Sequence, residues 1–586
     1  MLKFQDKTVL ITGSGTGIGQ AIAKKFAENG ASIIILGRRK GPLEDTRVIL
    51  DEIISQVGSR ASVRMYPGVD VADAEAVGRM FDDIQKNEIT VDCVVNNAGV
   101  SGPVKCFVSS PTDEFEKAID IHLTGTFQVS ASALPVLPSG GKIITISTFF
   151  SEERPLEQRP YRFRSPYTMS QGAKNRLAEA MAWELTDRDV ISIATNPGPV
   201  HSDRIYKTVY PKAAAEFMRI GGFEYLKPEQ VDAANGQIVG LLGESSEDVS
   251  RGIAKAAANI PTDKSTGELE ATLSRLLDKI GTIAEKIQRN TSRMIASRQF
   301  LSQEQVALSV MTLCDDGMAR ILNGRVVPGD GVSYPVRPSV GTAPPAVPKP
   351  DLSGKTIALV VQATDDVDFA RAEFLASHVE GCGGNVVRFV SESAPARYRE
   401  SKFHTHTIDI TSTDTVLRWL NTAATKLGPV AAVVHTTGNL PDMERLTDLS
   451  RSDWDALVNK FIKNTATVAR SSMEYFVPGG RQDPRLFEGA TGSVLVVGPD
   501  LPSGRLSGVR RGQIEVFRGA LRPFVATVNQ ELDDVLKSRI RIFGAFAGSV
   551  AGAKIDHSRM ASALDFALSQ DAPSSGVVSF CVDEVR

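Results

Sequence analysis

Short apolar runs alternate with helix-length segments from the first residues of the chain. Thr8–Ile11, Ser32–Leu36, Ala61–Tyr66, Val91–Val95, Lys142–Ile146 and Val190–Ala194 are apolar almost throughout rather than at every second position. Continuous hydrophobicity predicts strands covered on both faces, and the spacers predict right-handed crossovers joining them into a parallel sheet. Residues 205–300 break the rhythm: Leu269–Gly281 sets Leu and Ile at helical spacing among charged residues, and the segment reads as a helical insertion. The order resumes with a predicted helix over Gln303–Cys314 and strand-like Gly324–Pro328. Pro335–Pro350 carries six prolines among small residues. It cannot hold a regular element, so 336–350 reads as a linker. Strand-like runs then return at Thr356–Val361, Asn385–Val390, Thr407–Ile410 and Val430–Val434. The spacing from Asp409 to His435 equals that from Asp70 to Asn96, which points to a diverged internal duplicate. The expected fold is α/β, with two tandem doubly wound parallel sheets. The first, in residues 1–335, carries the insertion; the second lies in 351–586.

The 586 residues exceed one ordinary core. With 42% hydrophobic residues, 23% charged residues and a net charge of −3, the chain has no basic field for nucleic acid. The five cysteines lie far apart with no zinc spacing, which suits a reducing compartment. His404 and His406 alternate along a strand without an evident third ligand, so no metal is expected. No apolar run approaches the ~20 residues of a membrane helix, and the amino terminus enters a strand without a signal-peptide stretch. The expectation is a cytoplasmic protein whose partner is a small molecule, with neither nucleic acid nor membrane involved.

Thr12-Gly-Ser-Gly-Thr-Gly-Ile-Gly19 follows the first predicted strand and opens a helix. Glycines let the backbone turn tightly and approach a pyrophosphate, whose charge sits on the free amides of the helix N-terminus. Gly13, Ser14, Thr16, Gly17, Ile18 and Gly19 are therefore the expected cradle of a dinucleotide. The second predicted strand ends in Leu36-Gly-Arg38-Arg39. No carboxylate stands there to hold a ribose 2′-hydroxyl, while two guanidinium groups suit a 2′-phosphate, so NADP(H) is the favoured cofactor. The other reading of Arg38 and Arg39 is a solvated basic turn.

Asp70-Val71 after the third strand, Asn96-Asn97-Ala98-Gly99 after the fourth and Asn196-Pro197-Gly198-Pro199-Val200 after the sixth complete a set of landmarks. Their order and spacing resemble the short-chain dehydrogenase/reductase family. The resemblance implies a Rossmann fold, an adenine contact at Asp70 and Val71, and cofactor contacts at Asn97, Ala98, Gly99, Pro197, Gly198 and Val200. Over nearly the whole length the chain also resembles the bacterial malonyl-CoA reductases, whose halves each pair two such units. That likeness is carried by the insertion after Pro-Gly-Pro-Val, by Ser202-Asp203-Arg204, by Ile146-Ser-Thr-Phe-Phe150 and by the degenerate second unit. It implies NADPH-dependent reduction of malonyl-CoA or malonate semialdehyde. Single-unit members of the wider family associate through helix faces; a fused second unit is expected to replace one such contact, leaving a homodimer.

In the family a Tyr gives its proton to the developing alkoxide, and a Lys four residues on makes the phenol a readier donor. A Ser polarises the carbonyl, and an Asn supports a water relay. Tyr167 stands at the Tyr position and Thr148, which keeps a hydroxyl, at the Ser position. Gln171 replaces the Lys and His122 the Asn. Two substitutes for the missing charge are open: Lys174 folding back along its helix, or a protonated His122. Against them stand a solvated Lys174 and an ordinary hydrogen-bonded His122. Arg204 can clamp a substrate carboxylate or form a structural ion pair with Asp203.

The second unit reads Val361-Gln-Ala-Thr364-Asp365-Asp366 where the first has its glycine turn, His435-Thr-Thr-Gly438 for Asn-Asn-Ala-Gly, and has no Tyr-x-x-x-Lys around Gly512–Leu521. It reads as structural. Two functions remain: a reductase of a small carbonyl or acyl-CoA substrate, or a weak cofactor-binding sensor or partner subunit.

Overall fold

The computed structural model describes residues 2–148, 162–202, 205–293, 295, 297–329, 347–362, 366–392, 394–398, 404–499, 508–546, 557–569 and 579–581. In the first unit the strands are β1 (Thr8–Thr12), β2 (Ser32–Gly37), β3 (Val63–Pro67), β4 (Cys93–Asn96), β5 (Lys142–Ile146), β6 (Ile191–Pro197) and β7 (Val326–Gly329). They form a parallel sheet in the order β3-β2-β1-β4-β5-β6-β7. In the second unit β8 (Thr356–Val361), β9 (Asn385–Ser391), β10 (His404–Ile408), β11 (Val430–Thr436), β12 (Thr491–Val497), β13 (Arg539–Phe546) and β14 (Ser579–Cys581) repeat that topology as β10-β9-β8-β11-β12-β13-β14. Both are doubly wound Rossmann sheets, as the alternation of elements implies.

Most strands fall within two residues of their expected limits, and two depart further. β6 runs on to Pro197 because Thr195, Asn196 and Pro197 pair with Val327, Pro328 and Gly329, which lie far along the chain. β10 begins at His404, before the expected Thr407, because it is an edge strand paired only to β9. Its partly exposed polar residues gave no apolar run, and His406 stacks on Trp419 at 4.4 Å between ring centres.

The helices of the first unit are α1 (Gly17–Ala27), α2 (Lys40–Val57), α3 (Ala74–Lys86), α4 (Thr112–Ile119), α5 (Gly125–Ala133) and α6 (Ser165–Glu184). The insertion supplies α7 (Tyr210–Gly221), α8 (Pro228–Ile238), α9 (Ser246–Ala257) and α10 (Thr266–Ser292), before α11 (Gln303–Leu313) and α12 (Asp316–Leu322). Leu269, Leu273, Leu276 and Ile280 of α10 form one apolar stripe, packed on Ala214, Val231 and Ile253 in a core separate from those of the sheets. A reciprocal Ser265/Glu268 capping box starts α10.

In the second unit α13 (Asp366–Gly381), α14 (Thr413–Leu427), α15 (Arg451–Val458), α16 (Asn464–Phe476), α17 (Gly508–Gln530) and α18 (His557–Leu568) flank the sheet. A π-turn follows α4 at Asp120–Thr124 and another follows α15 at Asn459–Lys463, so the duplication preserves even this irregularity.

The units meet along α6 and α17, where two glycines bring the backbones together. A Cβ on Gly172 would lie 2.1 Å from the Gly519 carbonyl oxygen and 2.7 Å from Pro523 Cγ. Two buried carboxylates then cross the interface reciprocally. Glu184, ending α6, accepts from the backbone amides of Leu446 and Thr447 in the second unit at 2.8 and 3.3 Å. Glu531, just after α17, accepts from those of Phe107 and Phe163 in the first at 2.7 Å each. Burial pushes the Glu531 carboxyl up to about 7, with the two backbone amides pulling the other way. Trp454 completes the contact by stacking on Phe127 at 3.9 Å.

The glycine contact predicts the cost of a single methyl group. Gly172→Ala gains about 1 kcal/mol of helix propensity but must force the two backbones apart, which typically costs 1–3 kcal/mol or more. Because the 2.1 Å clash is with backbone, the upper end of that cost applies, and guanidinium unfolding should show a net loss on the order of 2 kcal/mol; an unchanged or raised midpoint would refute the close approach.

Candidate functional site

A cleft of about 880 Å³ opens at the carboxyl ends of the first sheet's strands, where such folds place their ligands. Its floor is the turn between β1 and α1. Gly13 and Gly17 have φ of +66° and +63°, and a Cβ on Gly13 would lie 3.0 Å from Ala98 Cα. The N-cap residue Thr16 makes no side-chain cap bond, and no acidic residue stands in the first turn of α1. The helix end is therefore left for an anion. Asn97 braces the turn by donating from its amide to the carbonyls of Thr12 and Gly13 at 2.9 and 3.2 Å.

Gly13, Thr16, Gly17, Ile18, Arg38, Arg39, Asp70, Val71, Asn97, Ala98, Gly99, His122, Thr148, Tyr167, Gln171, Lys174, Pro197, Gly198 and Val200 all reach this one cleft. Ser14 and Gly19 build the turn from behind. The Ser14 hydroxyl is buried and accepts from the Leu36 amide at 3.0 Å, and a Cβ on Gly19 would lie 2.4 Å from Gly13 O. Asp203 and Arg204 lie outside the described residues, as do Phe149, Phe150, Thr364 and Asp365. Arg38 makes a 3.7 Å ion pair with Asp70. At this exposure such a pair contributes little and leaves the guanidinium available.

At the inner end, Tyr167 lies on the first turn of α6. The His122 ring meets it edge-on, 5.2 Å between centres, and the Arg164 guanidinium carbon sits 3.8 Å above the ring centre. His122 lies in the π-turn, with its Nε2 2.9 Å from the Val100 carbonyl oxygen. Gly99 makes room for it, since a Cβ there would lie 2.5 Å from His122 Cε1. Gln171 is buried and its side-chain oxygen has no hydrogen-bond partner among the described residues, an unmet demand for a donor in the cleft wall. Lys174 is not solvated: it is 1% exposed and its Nζ donates to the Ile146 carbonyl at 2.8 Å. Burial lowers its ammonium to about 7.

Sequence reasoning missed Arg164 and the outer wall. Arg164 precedes Tyr167 by three residues, a spacing that would have flagged it once the start of α6 was fixed. The outer wall comes from His201 and Tyr206, hydrogen-bonded to each other, with Ile205 and Val209. Phe300 and Tyr210 pack behind Tyr206. All but His201, which directly follows Val200, come from the insertion, and none belongs to a motif.

In the second unit the described residues beside β8 and β11 are bonded to one another. Asp368 accepts from the Asn439 amide at 2.9 Å, and Lys460 donates to the Asn439 carbonyl at 2.9 Å. A Cβ on Gly438 would strike Gln362 O at 2.1 Å.

A doubly wound sheet with a glycine turn and a Tyr/Thr pair in one cleft defines a dinucleotide-type oxidoreductase site. The sequence profile of the short chain dehydrogenase family matches residues 7–210. The chain is 33% identical over 208 residues to the uncharacterized oxidoreductase YxbG of Bacillus subtilis (strain 168), covering 35% of this chain and 71% of that protein. It is 29% identical over 205 residues to the 3-oxoacyl-[acyl-carrier-protein] reductase FabG of Aquifex aeolicus (strain VF5), covering 34% of this chain and 77% of that protein. The chain belongs to the short-chain dehydrogenase/reductase family. Its fold is shared end to end by the C-domain of a bacterial malonyl-CoA reductase, solved with NADP (TM-score 0.73, 16% identity, 99% of both chains). The N-domain, also solved with NADP, gives a TM-score of 0.68 at 18% identity over 100% of both chains. No helix among the described residues is long and apolar enough to cross a membrane.

The buried Lys174 gives a pH signature. Its folded value near 7 lies below the ordinary 10.5, so between these limits the folded chain binds fewer protons than the unfolded one. Stability attributable to this group therefore rises with pH across that window. Urea unfolding at about pH 7 and about pH 9 should show the wild type gaining on the order of 2 kcal/mol relative to Lys174→Met; parallel profiles would mean the ammonium is not desolvated.

Proposed function

We propose that the chain is an NADPH-dependent reductase of a small carbonyl or acyl-CoA substrate, with malonate semialdehyde and malonyl-CoA the leading candidates. The observation that carries this reading is the convergence of Tyr167 and Thr148 with the glycine cradle in a single cleft. The residues present fit the dinucleotide. Gly13, Gly17 and the open end of α1 would hold the pyrophosphate. Arg38 and Arg39 would hold a 2′-phosphate, and Asp70 and Val71 would meet the adenine. The orphaned Gln171 oxygen would accept from a ribose hydroxyl. Bound NADPH would supply the hydride.

The chain's own residues do the rest. Thr148 orients and polarises the substrate carbonyl, and Tyr167 gives its phenolic proton to the oxygen that gains negative charge. His122, against the Tyr167 edge and the Val100 backbone, holds the phenol in place. Arg204 follows the Pro-Gly-Pro-Val turn and is the proposed clamp for a substrate carboxylate. The second unit is structural, covering α6; a homodimer would use other faces. Gln171 in place of a cation favours one further reading, a cofactor-binding sensor or partner subunit with little turnover of its own.

NADPH oxidation by the purified chain with malonate semialdehyde and with malonyl-CoA tests this. Tyr167→Phe should lower turnover by roughly 10²–10⁴-fold. Cofactor binding without turnover of these or other carbonyls would sink the reductase reading in favour of the sensor. Separately, the double change Arg38→Ala/Arg39→Ala should cut the preference for NADPH over NADH about tenfold or more, the worth of a charge-assisted bond. A preference that survives it would move the 2′-phosphate contact elsewhere.

A further inference from the structure

We propose that Arg164 is the cation that serves Tyr167, taking from the ring face the role that Gln171 cannot fill along the helix. The inference takes its chemical meaning from the reductase reading above and extends it to a residue outside the family's motif. In a carbonyl reduction the substrate oxygen takes the Tyr167 proton. The phenolic O–H bond breaks and its electron pair stays on Tyr167 until solvent returns a proton. The negative charge left behind spreads from the oxygen into the ring. A cation above the ring face therefore attracts the deprotonated phenol more strongly than the neutral one.

The geometry supplies such a cation. Arg164 is the N-cap residue of α6, with φ −135° and ψ 36°, and its side chain lies back over the first turn. Its guanidinium carbon stands 3.8 Å above the Tyr167 ring centre, and one of its N–H groups donates to the Ser101 carbonyl at 3.0 Å. The residue is 4% exposed, so water screens the attraction little. A planar guanidinium suits this stacking better than an ammonium would. Of the two alternatives, Lys174 is held back by donating from Nζ to the Ile146 carbonyl of β5, and His122 meets the Tyr167 ring edge-on with its Nε2 on the Val100 backbone rather than over the ring face. Arg164 acts through Tyr167 and is a positioning residue rather than a catalytic one.

The test is a set of variants read in two ways. In steady-state NADPH oxidation, Arg164→Met should lower kcat about 10²-fold with KM little changed. Arg164→Lys should keep part of the rate, and adding Gln171→Lys to Arg164→Met should restore most of it. A loss of under about threefold, or one that neither Lys change relieves, overturns the proposal. The second readout needs no turnover: nitration of Tyr167 by tetranitromethane, which attacks the deprotonated phenol, followed by peptide mass analysis. Arg164→Met should slow nitration if the guanidinium supplies charge; if Arg164 merely covers the ring, its removal will leave the rate unchanged or raise it. Should the wild-type chain reduce no carbonyl, the reductase reading fails, and nitration alone decides whether Arg164 serves the phenol.

Discussion

The backbone-to-backbone contact of α6 with α17 is the constraint on which the rest of the molecule depends. α6 carries Tyr167, Gln171 and Lys174, and nearly all of its residues are buried. One side of it faces its own sheet and the other faces the second unit, so it has no solvent face to bear a polar stripe. Gly172 and Gly519 set the helix separation, and that separation fixes where the first turn of α6 stands relative to β5 and the π-turn. The position of the phenol is thus decided by a helix more than three hundred residues away in sequence.

The reciprocal carboxylates show how a duplicated unit became a permanent partner. Glu184 and Glu531 occupy corresponding places at the ends of the paired helices, and each accepts from an amide at the start of a short 3₁₀ turn in the other unit. Burying a carboxylate is costly, and burial raises both groups above the ordinary carboxylate range. The backbone donors offset part of that cost and fix the register of the two units. In the second unit Asp368 and Lys460 both bond to Asn439, and α17 stands as a wall for the first unit.

The site then reads as a family scaffold with its electrostatics redistributed. The cradle is intact, but the positive charge expected one helical turn beyond Tyr167 is absent, and the next lysine along the helix, Lys174, is buried against a strand carbonyl. Arg164 and His122 instead enclose the phenol from its face and its edge. The insertion adds an aromatic outer wall on its own core, so the substrate end can vary without disturbing the sheet.

Local pattern determined much of this: the strands of the first sheet, β8, β9 and β11 of the second, the glycine turn and the insertion follow from periodicity and punctuation within a few residues. So do the identities of Tyr167, Thr148, Gln171 and His122, because motif spacing along one strand or helix survives folding unchanged. By contrast, β12, β13 and β14 were not read, and most of the expected linker, 336–346, lies outside the described residues. The end of β6, the edge strand β10, the burial of Lys174 and the wall formed by His201 and Tyr206 were not legible. Each is set by neighbours distant in the chain, such as β7 for β6 and α17 behind α6. Sequence by itself fixes which residues share an element; which face of that element is covered, and which cation ends above which ring, is a property of packing that only the tertiary structure decides.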